Sequence, residues 1–243
     1  MDNPLVLLVE GILPYVTAAV FVGGVVATIV RWAAVRVPFR ITLFPAPTSV
    51  VADVASEAFL FKTLFVGARP LWAGGWLFHL SLALCIVGHL FGIGLLAHQF
   101  VVFGASSSES EKLSALFGGI AGLVLVAALL YLLYRRAATD EARAISHPED
   151  YLVLLLILSI VLTGNYMRFF MQVDLGEINR YVVSLAALAP SPPANRMFLV
   201  HFFFVQLLLL YFPYGKLMHS CGMFFTRWLM GKRDMVSAGE ATA

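Results

Sequence analysis

Long apolar runs separated by short polar connectors make up this chain, and five of the runs are long enough to cross a bilayer: residues 5–30, 71–97, 113–134, 151–172 and 197–220. About 30 Å of hydrocarbon takes roughly 20 helical residues at about 1.5 Å each. Each run reads as helix, because a lone strand leaves its backbone unsatisfied in lipid. Pro14 and Pro213 are the clearest candidate breaks inside the runs. The pattern predicts an all-α integral membrane protein with five transmembrane helices.

Composition agrees. Of 243 residues, 60% are hydrophobic and 12% charged, against about a quarter charged in a soluble domain. Cys85 and Cys221 are the two cysteines and no CxxC occurs, so the chain holds neither a disulfide framework nor an iron–sulfur cluster of its own. A net charge of +2 points away from nucleic acid. The opening MDNPLVLLVEG lacks the basic region and cleavage site of a signal peptide and reads as the start of the first span.

Loop charge sets an expected orientation. Arg31, Arg36, Arg40, Lys62, Arg69, Arg135, Arg136, Arg143, Lys216, Arg227, Lys232 and Arg233 fall on one side, and only Lys112, Arg168, Arg180 and Arg196 on the other. The basic side is the inner one, which puts the N-terminus outside and the C-terminus in the cytoplasm. The expected layout is a membrane domain over 1–220 and a short cytoplasmic tail over 221–243, with no internal repeat. DVASEAFLFKTLF (53–65) has the composition of an interfacial helix or a plain connection. The outer loop 173–196, with YVVSLAALA before PSPPANR, reads as a lid or a simple connector.

The chemistry sits in the histidines. His98 and His147 lie at a span end and in a charged loop, where solvated imidazoles are ordinary. His79 and His89 share the second span, ten residues apart, and His201 and His219 share the fifth, eighteen apart. Ionisable groups at membrane depth are costly and mark function by default. Because the second and fifth spans run in opposite directions, His79 comes level with His219 on the inner side, and His89 with His201 on the outer. Each pair suits a bis-histidine haem in a helix bundle. On straight helices, eighteen residues keep His201 and His219 on one face, while ten rotate His89 by about 80° from His79. Pro213 offers a kink to absorb the mismatch, and Gly88, Gly92 and Gly94 offer room for a bulky ring beside His89. Arg168 is a candidate partner for an outer propionate and Lys216 for an inner one, although snorkelling to headgroups explains either. Glu10 reads as an interfacial carboxylate, with proton carriage as the alternative.

FHLSLALCIVGHLFG (78–92), with its Gly88–His89 pair, and YFPYGKLMH (211–219) resemble the second- and fifth-helix signatures of the cytochrome b (gamma) subunits of respiratory nitrate reductase. Gly215 stands where that family usually has a hydroxyl residue. The resemblance covers the membrane core. It implies five spans with the N-terminus outside, and two b haems ligated by His79 with His219 and by His89 with His201. It further implies electron transfer between quinone and a cytoplasmic iron–sulfur subunit in a prokaryotic cytoplasmic membrane. The quinone site would lie beside the outer haem near His89, with Arg168 or Lys112 as contacts. VRVPFRI (35–41) and TGNYMRF (163–169) resemble the branch whose cytoplasmic partner is similar to heterodisulfide reductase, which implies sulfur metabolism rather than nitrate. The arginine-rich inner loops suit docking of that partner or of anionic lipid.

Three other readings compete. A ferric reductase-like carrier has nearly equal histidine spacings on both helices and a nucleotide-binding domain. A haem-free transporter needs more polar groups within the spans. An anchor that has lost its cofactors has no use for four membrane histidines.

Overall fold

A computed structural model describes residues 3–34, 49–95, 98–171 and 173–226. All regular elements among them are helical, and five helices are long and apolar enough to cross a membrane: Pro4–Ala34, Arg69–Ile93, Ser107–Ala138, Pro148–Phe170 and Arg196–Tyr214. Large apolar side chains such as Leu84, Ile86, Phe117, Leu123 and Leu162 are exposed along these helices, as lipid-facing surfaces require. The segment VRVPFRI and the basic residues Arg36, Arg40, Arg227, Lys232 and Arg233 lie outside the described residues.

The chain divides into two compact units, Met1–Ala18 with Gly74–Leu209 and Ala19–Ala73 with Leu210–Ala243. In the first, Phe78, Leu125, Ala128, Leu129, Ile157 and Val161 form the core, drawn from the second, third and fourth spans. Small residues let these helices close in. A Cβ added at Gly74 would fall on the Tyr131 ring, and one at Gly122 on the Asn165 amide. Lipid tails are as apolar as leucine, so close packing of this kind is what holds membrane helices together.

A second cluster of Ile178, Tyr181 and Phe198 packs with Ile93, Met167, Leu185 and Phe202. Its outer part is the helix Leu175–Ala186, whose N-cap Asp174 accepts from the Gly176 amide. Much of the 173–196 loop is therefore a packed amphipathic helix. Its PSPPANR end is tied back by the Ser191 amide on Ser184 Oγ and the Ala194 amide on Glu177 Oε1.

Three spans depart from the straight helices expected, each for a local reason. The first span is wound as a π-helix over Leu7–Ile12. Pro14 leaves the helix unbroken but brings no N–H, and Val9 and Glu10 lose backbone donors. Their carbonyls accept instead from Gln206 Nε2 at 2.9 Å and Tyr181 Oη at 2.8 Å. The second span becomes a π-helix at Leu90–Leu95, and Asn179 Nδ2 donates to the Ile93 carbonyl there. The fifth span was expected to run to 220, but its α-helix ends at Tyr211, followed by a 3-10 turn Phe212–Tyr214, an extended Gly215 and a second 3-10 turn Lys216–Met218. Pro213 therefore breaks the helix, and the straight-helix register that put His201 and His219 on one face does not apply.

In the second unit, Gly24 approaches Pro213 so closely that a Cβ would lie 2.6 Å from the proline ring. Thr28 Oγ1 donates to the Pro213 carbonyl at 3.5 Å. Gly215 has no space for a side chain because the Tyr211 ring covers it, which explains glycine where a hydroxyl residue is usual. DVASEAFLFKTLF forms two short helices, Val50–Leu60 and Lys62–Gly67, joined by a left-handed Phe61 (φ 49°). The Trp72 indole donates to the Leu60 carbonyl and anchors the pair.

Close packing at Gly74 makes a direct prediction. Gly74→Val overpacks the contact with Tyr131 and lowers stability by about 1–3 kcal/mol, read as earlier thermal unfolding in detergent; an unchanged unfolding midpoint would show that the helices do not depend on this approach.

Candidate functional site: four membrane histidines

A histidine in a helix can turn its Nδ1–H back onto a carbonyl of the preceding turn. His79 does so with Gly75 at 2.7 Å, His89 with Cys85 at 2.6 Å and His219 with Lys216 at 2.7 Å. His201 reaches across to the fourth span, where its Nδ1 lies 3.0 Å from the Ile160 carbonyl and 3.0 Å from Thr163 Oγ1. A carbonyl only accepts, so Nδ1 carries the proton in all four rings. In a neutral imidazole the Nε2 lone pair then points away from the helix backbone. This is the arrangement that presents histidine as a metal ligand, with its tautomer fixed by the second nitrogen's hydrogen bond.

Of the two predicted pairs, His89 and His201 fall in one unit and face each other. Their ring centres are 6.4 Å apart and the ring planes differ by 16°. Two imidazoles bound to one metal through Nε2 at about 2.0 Å each have ring centres roughly 6 Å apart. Gly164 on the fourth span makes room for His201, since a Cβ there would sit 3.2 Å from its Cε1. Gly88 borders open space beside His89, as expected. Gly92 does not, because the Gln99 side chain fills the position a Cβ would take. Among the described residues, no three His, Cys, Asp or Glu side chains come together. A two-imidazole site with no further protein donor suits a metal that brings its other four ligands in a macrocycle, and haem iron does so. His79 lies in the first unit with the Phe78 ring edge-on at 4.9 Å, and His219 lies in the second.

The remaining candidates fall as follows. Arg168 is exposed, lies over Gly118 and donates to the Ser114 carbonyl at 2.9 Å. Lys112 and Lys216 are exposed at the ends of their segments. His98 lies 3.9 Å from Glu111 on the half-exposed rim, and His147 precedes the fourth span. Glu10 is buried in the protein, at 1% exposed. The sequence reading passed over Thr163, Gly164, Tyr181 and Gln206. Only Thr163 and Gly164 had a signal, lying in the quoted TGNYMRF. Tyr181, outside the spans, has its phenol pushed up by burial, with the charges of Glu10 and Tyr15 adding to it.

The fold is that of a five-span membrane protein, and its four histidines at and near the spans each turn Nδ1 onto a backbone carbonyl. Residues 57–236 match the family model described as nitrate reductase gamma subunit. The chain belongs to this family. It is 32% identical over 88% of its length to the Hdr-like menaquinol oxidoreductase cytochrome b-like subunit of Archaeoglobus fulgidus, covering 76% of that protein. The subunit of the same description from Archaeoglobus profundus is 29% identical over the same shares. The nitrate reductase gamma chain of Bacillus subtilis is 27% identical over 63% of this chain and 59% of its own length.

The hydrogen bonds predict the tautomers. Nitrogen-15 spectra of histidine-labelled, metal-free protein in bilayers should show His79, His89, His201 and His219 protonated at Nδ1; Nε2-protonated rings at these positions would contradict the geometry.

Proposed function

We propose that this chain is the membrane cytochrome b subunit of a quinone-linked oxidoreductase complex, carrying electrons between membrane quinone and a cytoplasmic iron–sulfur partner. The observation that carries the reading is the His89–His201 pair, two Nδ1-anchored imidazoles from different spans at metal-bridging distance. His89 and His201 hold the outer b haem, and His79 and His219 the inner one. The haems supply one-electron centres at two depths of the membrane. The chain's own residues fix ligand orientation, space the two centres and keep water from between the helices. Arg168, held on the third span by the Ser114 carbonyl, is placed for an outer propionate or a quinone oxygen.

The N-terminus lies outside and the C-terminus inside, with 1–220 as the membrane domain and 221–243 as the cytoplasmic tail, in the cytoplasmic membrane of a prokaryote. The positive-inside distribution supports this orientation. The two Archaeoglobus relatives, named as Hdr-like menaquinol oxidoreductase subunits, favour quinol as electron donor and a partner similar to heterodisulfide reductase, hence a sulfur-metabolism complex. The more distant likeness to a nitrate reductase gamma chain supports the alternative of a nitrate-reducing complex.

Pyridine haemochrome quantification with a reduced-minus-oxidised spectrum tests the assignment. About two b haems per membrane-inserted chain are expected, falling to about one in His201→Ala and also in His79→Ala. Folded protein without haem would sink the reading, as would undiminished haem in both variants.

A further inference from the structure

The first span spends a π-helix on one residue. Leu7–Ile12 is underwound around Glu10, and the carbonyls displaced there are held by Gln206 and Tyr181. Single π-turns inside α-helices gather at functional sites. The carboxyl so placed is 1% exposed, and its Oε1 has no hydrogen-bond partner. Two other buried side-chain oxygens beside it are in the same condition. Thr17 Oγ1 lies seven residues on, on the same helix face, and Gln206 Oε1 stands on the fifth span. Thr17 is 2% and Gln206 1% exposed. A purely structural carboxyl would be paired, because an uncompensated buried charge is costly and buried polar atoms seek partners. Here three unpartnered oxygens belong to the two spans that Gln206 Nε2 joins at the Val9 carbonyl, and a polar seam of this kind suits bridging water.

The seam belongs to the same layer as the His89–His201 pair. Gln206 is five residues from His201 on one helix, and Tyr181, which holds the Glu10 carbonyl, packs on Phe202 at 5.9 Å. Glu10 also lies six residues from the start of the first span, about 9 Å along the axis. The titratable groups facing it are Tyr15, which donates to the Leu185 carbonyl, and Tyr181, which donates to the Glu10 carbonyl; neither supplies a counter-charge.

We propose that Glu10 is the proton carrier of this site, taking a proton released by hydroquinone by way of the Thr17–Gln206 seam and passing it to the membrane face where the first span begins. Oxidation of one hydroquinone to quinone releases two electrons and two protons. The electrons would be taken one at a time by the one-electron centres that the four histidines would hold, and the protons leave singly, each forming the Glu10 carboxylic acid and then returning to water. The inference rests on the quinone-linked reading, but Glu10's exchange of a proton is measurable without it.

The test is infrared difference spectroscopy on the full chain in bilayers, in H2O and D2O. The first measurement is a pH titration; the second is reduction by a soluble quinol in haem-loaded protein. A carboxylic-acid C=O band that titrates, shifts in D2O and is missing from Glu10→Gln is expected. Quinol-driven haem reduction should slow at least tenfold in Glu10→Gln, and Thr17→Val, which removes no existing hydrogen bond, should retain the band and its titration but slow the same reduction. If the chain binds no haem, the quinone-linked reading fails while the pH titration still reports on Glu10. A band that is the same in wild type and Glu10→Gln, or that neither titrates nor exchanges, would overturn the proposal. Should Glu10→Gln fail to insert, a carboxylic-acid band left unmoved by Glu10→Asp would overturn it equally.

Discussion

An imidazole buried in a membrane helix has one nitrogen that a backbone carbonyl can satisfy and one that it cannot. That asymmetry organises this molecule. His79, His89 and His219 satisfy Nδ1 within their own helical segments, and His201 does so against the fourth span. A ring anchored in this way turns its Nε2 outward, where a metal can use it as a ligand. In the proposed function, iron between paired imidazoles is that metal. Helix packing in the first unit serves the same end. Gly164 clears space for the His201 ring, and Asn179 and the outer helix brace the π-wound end of the second span just beyond His89.

The irregular backbone is not incidental to this design. Carbonyls released at a π-turn or a proline must be satisfied inside the protein, since lipid offers no donor. Here Gln206, Tyr181, Asn179 and Thr28 take them. Gln206 and Thr28 are polar residues that hydropathy alone treats as blemishes in an apolar run. Together with Tyr181 they tie the first span to the outer helix and the fifth span, so repair of the backbone and packing of the bundle are accomplished together.

Much of this was legible in the sequence. Apolar run length located all five spans, because bilayer thickness fixes helix length, and the family followed from the histidine signatures. The span ends and the register were less legible. Counting 3.6 residues per turn assumes one helix from His201 to His219, and Pro213 with Gly215 breaks it. Gly92 looked like space for a ring, but tertiary packing gives that space to Gln99. The burial of Glu10 was not legible locally, because the residues that bond the Glu10 and Val9 carbonyls, Tyr181 and Gln206, lie some 170 to 200 positions away. The acceptor for His201 lies on another helix and leaves no mark in local spacing.

The central claim is that His89 and His201 grip one haem iron between nearly parallel rings. Electron paramagnetic resonance of the oxidised, haem-loaded protein tests it most directly, because the angle between two axial imidazoles sets the shape of the low-spin ferric signal. The 16° between these ring planes predicts a rhombic low-spin component that disappears in both His89→Ala and His201→Ala while the second haem's signal persists. A high-spin ferric signal in the wild type, or a low-spin pair untouched by both substitutions, would contradict it.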